Sequence, residues 1–449
     1  MAAPMAATTD QKDDTDRIGE SLTLHAEYLP NIRQVSVQIS IAGATNSNVP
    51  PQISLSESRR AVSVSVSDYA SETIKLPARV TEGSRRLLGG AGAGTGAARD
   101  SADARELSYR MQVDDSEMTQ RNALDEHMDI FVPWSAGDMF PSTKLRCGQC
   151  EGVILDTPNN TAEQPSSAEN NASLSGGWVW KDLPSGNWAE MMDFWHCHKP
   201  DPPKTHDANG KKVEDVNSNV KGYGASNQVL AAPGNVLVDV ATFLVSSIEC
   251  KGLKKVTKGR TDDFRLPSEE ELVCSKCEAL IGVEDTIAKG WRLFKTSLAA
   301  SFPSIEEGCD EVSWEKHPTE LVVTAQLLEL IERESARRFI IHCGKKDGLL
   351  VWVFNPDMRY SNASSQHSIT SQRAMKVFFQ ATADAETMLY PEPGKASPLS
   401  LEELRLPVDT YASISATLEA SNGRLPPSAR IFQNAWRVGV LHRFESLKR

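Results

Sequence analysis

The chain has 449 residues, enough for two or three domains at roughly 100 to 200 residues each, so it is not a minimal module. Hydrophobic residues make up 40%, which excludes global disorder. Lys plus Arg number 48 against 60 Asp plus Glu, and the resulting charge of -12 excludes a general binder of phosphate backbones, so no direct nucleic-acid contact is expected.

Residues 1–20 read as a disordered tail. The stretch Met1 to Asp14 turns acidic after Gln11 and has no cationic start followed by an apolar core, so it does not read as a secretory signal. The best apolar stretch, Val236 to Ile248, is interrupted by Asp239 and two serines and falls short of the ~20 residues that cross a bilayer, so no membrane span is expected. The expected compartment is the cytoplasm or nucleus, where thiols stay reduced.

From Ser21 to about Val113, within an N-terminal domain drawn over residues 21–140, the apolar residues alternate: Val35, Val37, Ile39 and Ile41, then Val62, Val64 and Val66, then Leu107, Tyr109, Met111 and Val113. Period two with β-branched residues predicts half-buried strands and a β-rich N-terminal domain. Gly83 to Ala104 reads as a long loop. Its Gly90-Ala91-Gly92-Ala93-Gly94 lacks the preceding strand and following helix of a dinucleotide fingerprint and is read as linker.

Residues 141–156 contain a first Cys-x-x-Cys knuckle. Two segments without apolar periodicity, 157–176 and 199–221, read as flexible inserts. In the first, Asn159-Asn160-Thr161 and Asn171-Ala172-Ser173 match the glycosylation pattern, which has no use in a reducing compartment. The inserts bracket a tryptophan-rich island, residues 177–198. Residues 222–449 read as an α+β domain with a second knuckle: strands over Asn235 to Ile248, Glu271 to Val283 and Lys289 to Leu298, the last with Trp291, Leu293 and Lys295 on one face. Thr319 to Arg337 is the one clear long helix, with Thr319 available as its cap and Arg333 and Arg337 suited to its end. Phe339 to Cys343 and Gly348 to Phe354 then form a hairpin around Gly344-Lys345-Lys346-Asp347, and Ala374 to Gln380 another strand. The fold class is α+β, predominantly antiparallel β, with a zinc-stapled C-terminal part.

Cys147-Gly148-Gln149-Cys150 and Cys274-Ser275-Lys276-Cys277 have the form of two zinc knuckles, which together offer four thiolates to one tetrahedral ion. Between Cys150 and Cys274 lie 123 residues. Closing such a loop costs about 4 kcal/mol, whereas structural zinc supplies roughly 10 to 16 kcal/mol in small peptides. Zinc is therefore expected as a structural ion on Cys147, Cys150, Cys274 and Cys277; two separate reduced pairs, or a redox pair, are the alternatives.

The island holds Trp178, Trp180, Trp188 and Trp195 and ends in His196-Cys197-His198. It reads equally as a core element whose tryptophans anchor a sheet or as a docking segment, since tryptophans dominate interface hot spots. Trp188, Trp195, Cys197 and His198 are its candidate partner-binding residues.

The first knuckle, Leu183-Pro184-Ser185-Gly186-Asn187-Trp188 with Trp195-His196-Cys197-His198, the second knuckle, and Trp352-Val353-Phe354-Asn355-Pro356-Asp357-Met358-Arg359-Tyr360 together resemble the HECT-like, E2-binding ubiquitin ligases, from about Ile32 to the C-terminus. The resemblance implies an E3 ubiquitin-protein transferase whose partners are an E2 conjugating enzyme, ubiquitin and a protein substrate. The Leu-Pro-Ser to Cys-His stretch is also similar to a segment in an unrelated partner of metal-dependent RNA-processing nucleases. That similarity implies, as an alternative, a non-enzymatic partner or inhibitor of the mRNA 3′-end processing endonuclease, with Cys197 or His198 approaching the nuclease metal. A thioester mechanism needs a nucleophilic cysteine, and the final 106 residues contain none. Cys250 ends a predicted strand, and Cys309 follows Glu306-Glu307, which disfavours a thiolate. Cys343, in an apolar hairpin beside His342, is the remaining catalytic candidate.

Overall fold

The structure is a computed structural model describing residues 21–43, 50–67, 70–89, 99–100, 104–116, 132–158, 177–183, 229–257, 270–303, 312–391 and 401–445. It divides into two compact units. The first comprises residues 1–121, 358–372 and 424–430, and the second comprises 122–357, 373–423 and 431–449.

In the first unit the alternating stretches become strands β1 (Ser21–Leu29), β2 (Gln34–Ala42), β3 (Gln52–Leu55), β4 (Ala61–Ser67), β5 (Ala70–Lys75), β6 (Arg99–Asp100) and β7 (Ala104–Gln112), with helix α1 over Gly83–Gly89. The strand β1 pairs antiparallel with β2, and β2 with β7, while β3, β4 and β5 form a separate meander. Leu24, Val37, Ile39 and Met111 share one core with Val62, Val64 and Ile74. Alternation thus does here what the two-residue side-chain period requires. The expected loop from Gly83 is helical at its start because Leu88 finds a place in this core and Arg85 donates to the carbonyls of Leu55 and Ser56 at 2.7 and 3.3 Å. Residues 90–94 lie outside the described residues. Distant chain completes the unit: Ala26 and His25 pair with Ser361 and Asn362, and the Asn362 amide donates to the Arg424 carbonyl at 3.0 Å.

The second unit begins with a four-stranded and a seven-stranded sheet. Strands β8 (Leu145–Cys147), β9 (Val153–Leu155), β17 (Leu298–Pro303) and β18 (Val312–Glu315) lie in the order β18-β17-β8-β9. Strands β10 (Val179–Asp182), β11 (Asn235–Val238), β12 (Thr242–Val245), β13 (Leu253–Thr257), β14 (Glu270–Cys274), β15 (Leu280–Asp285) and β16 (Gly290–Phe294) lie in the order β10-β11-β12-β16-β15-β14-β13. All neighbours are antiparallel except β10 and β11. The single strand expected over Asn235 to Ile248 is a hairpin, β11 and β12, turned where Asp239 accepts from the Val240 amide and the Thr242 hydroxyl at 2.8 and 3.4 Å. Glu271 to Val283 is likewise two strands around the second knuckle.

Helix α2 (Thr319–Glu334) follows, then β19 (Arg338–His342), β20 (Gly348–Ser364), β21 (His367–Thr382), α3 (Ala385–Leu389), β22 (Glu402–Arg405), α4 (Val408–Gly423), β23 (Ile431–Phe432) and β24 (Trp436–His442). Within this unit the strand order is β22-β19-β20-β21-β24-β23. Val323 and Leu327 of α2 and Ile414 and Leu418 of α4 bury Val351, Val353, Met375 and Val377 on one face of the sheet. Two details of the expected helix change. Pro318, not Thr319, precedes its first turn with no side-chain cap, and the helix stops at Ser335, whose φ of 54° is left-handed, before Arg337. A second helix of equal length, α4, was not legible, because its buried positions include Thr410, Ser421 and Asn422 and so carry little apolar stripe. Among the described residues no helix is long and apolar enough to cross a membrane.

Lys295 is fully buried, with its ammonium donating to the Pro133 and Trp134 carbonyls at 2.9 and 3.1 Å over the Phe243 ring. Trp134 itself is buried at φ 55°, a strained setting for a bulky residue that the lysine helps to hold. Burial draws the Lys295 amine from 10.5 down to about 7, offset only in part by Asp239, Asp182 and Asp138. Below about 7 both folded and unfolded chains carry the charge, and the penalty is complete. Between about 7 and 10.5 the unfolded chain keeps a proton that the folded one has shed, so stability rises with pH through that window. Urea unfolding across it should show wild type gaining on the order of a few kcal/mol relative to Lys295→Met; parallel pH profiles for the two proteins would show that the amine is not buried as described.

Candidate functional site

The two knuckles are built alike. In each, the first cysteine's amide donates to the carbonyl five residues on, Cys147 to Gly152 at 2.8 Å and Cys274 to Ala279 at 2.9 Å. The residue four places on donates back, Glu151 to Cys147 at 3.0 Å and Glu278 to Cys274 at 2.9 Å, and both glutamates are left-handed, with φ of 61° and 62°. This turn aims two thiols to one side of the hairpins β8–β9 and β14–β15. The sulfurs of Cys147 and Cys277 are 3.6 Å apart, those of Cys150 and Cys274 are 3.5 Å apart, and all four lie within 4.8 Å of one another. Sulfurs ~2.3 Å from a tetrahedral ion would be ~3.8 Å apart, so the spacing fits a four-thiolate metal site and is compatible with zinc. It is far longer than the ~2.05 Å of a disulfide, and all four cysteines are free.

The thiols oppose one another electrically. Burial raises Cys147, and the Cys150 and Gln149 amides offset this only in part. Burial also works against the Cys274 thiolate, but the amides of Cys277 and Lys276 and the neighbouring thiols outweigh it and bring the group down to about 7. The Ala279 amide favours the Cys277 thiolate, yet burial and the three other thiols push it up to about 12. One sulfur ionises readily and its neighbours then resist, a conflict that a divalent cation among them removes.

The tryptophan island is divided. Trp178 is buried and donates to the Asp156 carbonyl at 2.6 Å, and Trp180 donates to the Phe140 carbonyl at 2.8 Å and packs edge-on against Phe243. These two anchor β10 to the core beside the metal site. Trp188, Trp195, Cys197 and His198 lie outside the described residues, as does Cys309. Cys250 is unsuited to nucleophilic work: burial, aided by the adjacent Glu249 charge, pushes its thiol up to about 12.

Cys343 opens the turn between β19 and β20 and is half-buried. The imidazole of His342 beside it is fully buried. Its Nδ1 accepts from the Gly344 amide at 3.0 Å, which leaves the proton on Nε2 to be donated to Glu403 at 2.8 Å. Glu403 in turn accepts from the Tyr390 hydroxyl at 2.6 Å. The ring next to Cys343 in sequence thus helps to shape the turn, where Gly344 takes a φ of 85°.

An aromatic face was only partly visible in the sequence. Opposite the side of the sheet covered by α2 and α4, Phe378 stacks on Phe432 at 4.4 Å between centroids, and Trp352, Phe354 and Trp436 surround them. The Arg338 guanidinium lies 5.1 Å over Trp352, while Phe354 and Ile431 are 51% and 59% exposed. The alternation of Trp352 and Phe354 with Val351 and Val353 marked two of these rings; Phe378, Phe432 and Trp436 join them only through strand pairing.

A family described as HECT-like ubiquitin-conjugating enzyme (E2)-binding matches residues 27–438, a span that includes both knuckles, Cys343 and the aromatic face. The chain belongs to that family. An uncharacterized protein of Schizosaccharomyces pombe is 26% identical over 326 residues, covering 70% of this chain and 79% of its own length. An uncharacterized protein of Saccharomyces cerevisiae is 25% identical over 252 residues, covering 56% of this chain and 60% of its own length.

Elemental analysis of the purified protein should find about one tightly held divalent ion per chain. The ion should be lost, with a large fall in thermal stability, in the double variant Cys147→Ser and Cys274→Ser; a folded, metal-free wild type would exclude the metal site.

Proposed function

We propose that this protein is an E3-type ubiquitin ligase that recruits a ubiquitin-charged E2 and brings its thioester to a protein substrate. The family match over residues 27–438 carries this reading, since the family is defined by E2 binding. Holding the charged E2 beside a substrate lysine converts a bimolecular attack into an effectively unimolecular one. The lysine amine adds to the thioester carbonyl, the E2 cysteine leaves as thiolate, and an isopeptide bond remains. No cysteine of the ligase need enter the bond changes. The engaged state of the His342 ring favours this scaffolding route over transfer through Cys343.

The E2 seat in this reading is the aromatic face, where the half-exposed Phe354 and partly exposed Trp352, Phe432 and Trp436 surround the buried Phe378 on the sheet. Zinc is the ion of the four-cysteine site. A closed set of four sulfurs leaves no open coordination position, so its role is structural.

Phe354→Asp combined with Ile431→Asp changes two side chains that are more than half exposed and should lower the melting temperature only modestly. The pair should weaken binding of the cognate E2 by at least about tenfold, or ~1.4 kcal/mol, in calorimetry against a panel of E2 enzymes. Unchanged affinity would remove the aromatic face from the interface. In single-turnover discharge of charged E2, Cys343→Ser should keep wild-type rates, and no reductant-sensitive ubiquitin adduct should form. An adduct on wild type that is absent from Cys343→Ser would replace the scaffold with a thioester mechanism.

A further inference from the structure

We infer that the single turn Lys295–Ser297 couples the four-cysteine site to helix α4, an inference that rests on the reading of those cysteines as a metal site. A 3-10 turn has three residues, so successive positions point in three directions, and here each reaches a different element. Lys295 is tied to the Pro133 and Trp134 carbonyls. The Thr296 hydroxyl meets the hydroxyl of Thr410, in the first turn of α4, at 3.3 Å. The Ser297 carbonyl accepts from the amide of Gly148, inside the first knuckle, at 2.8 Å.

The turn has no slack in which a movement could be lost. Lys295 and Thr410 are buried, and a Cβ on Gly148 would stand 3.1 Å from the Ser297 oxygen and 3.1 Å from the Lys316 ammonium nitrogen. A knuckle that shifts when its sulfurs separate must either break the Gly148 bond or carry Ser297 with it. Lys295 cannot follow into solvent without leaving two buried carbonyls unpaired, which is costly. The turn also lies against α2 and β15, and its side-chain link onward to α4 is Thr296 to Thr410. Beyond it α4 packs Ile414 and Leu418 into the core of the C-terminal sheet. Metal occupancy and the order of the first turn of α4 are therefore linked through three consecutive residues.

Hydrogen exchange on the full-length protein tests this, with metal content measured on the same samples. Chelation should speed exchange at residues 145–155 and 270–285 and, on the order of tenfold, at residues 408–414, while strand 35–41 of the first unit stays protected. Thr410→Val with its metal retained should already show faster exchange at 408–414, with knuckle protection unchanged. The coupling is overturned if chelation exposes the knuckles but leaves 408–414 as before, or if 35–41 opens in step with everything else. Should the protein carry no metal, the reading of the cysteines fails separately. The turn is then judged by Gly148→Ala, which presses on Ser297: faster exchange at 408–414 supports the linkage, and an unchanged profile removes it.

Discussion

Two thiol pairs separated by 123 residues meet within 4.8 Å, and the first part of the second unit is arranged around that meeting. One knuckle belongs to the four-stranded sheet and the other to the seven-stranded sheet, so the sulfurs join two sheets that also share one hydrophobic core, with Leu145, Ile154 and Leu298 of the first against Phe243, Leu272 and Leu293 of the second. Leu155 bridges to Cys250, the Lys251 amide donates to Ile154, and Trp178 donates to Asp156. These neutral contacts are each modest, about 1 kcal/mol apiece. An ion held by all four sulfurs would be far stronger, and it would relieve the conflict among four thiols that cannot all ionise together.

Long-range pairing also completes the first unit. Its sheet gains Tyr360–Ser364 beside β1, and residues 424–430 from later in the chain join the same unit. The long hairpin β20–β21 contributes its tip to one unit and its base to the other, so neither unit is a contiguous piece of sequence. Near the base of the hairpin the family motif has a structural part: Asp357 accepts both arms of the Arg373 guanidinium at 2.6 and 2.8 Å and lies 3.0 Å from Arg443. One carboxylate between two largely buried arginines is a strong local constraint on that strand.

The chemistry of the cysteines separates structure from catalysis. Four are committed to one cluster and Cys250 is held as a neutral buried thiol. Beside Cys343 the imidazole that the sequence offers as a base is spent on the backbone and on Glu403. In the proposed reading, a member of an E2-binding family with these cysteine settings works by proximity. In the same reading the aromatic face, with Phe354 and Ile431 more than half exposed, receives the E2.

Strand alternation, the knuckles and helix α2 were legible in the sequence because each is a local pattern: period two from the pleat, period 3.6 from the helix, two thiols at turn spacing. Helix α4 was hidden because polar residues occupy its buried positions, and the division of the tryptophans was hidden because Trp178 and Trp180 become core only when β10 pairs with β11. The sequence by itself determined the β-rich class, the four metal-ligand candidates and the shortage of a C-terminal nucleophile. Only the tertiary structure decided that the four sulfurs converge, that the His342 ring is bonded to Gly344 and Glu403, that five rings form one face and that a single turn reaches from a knuckle to α4. Those outcomes depend on which distant strands pair, and pairing is a property of whole sheets rather than of any window of residues.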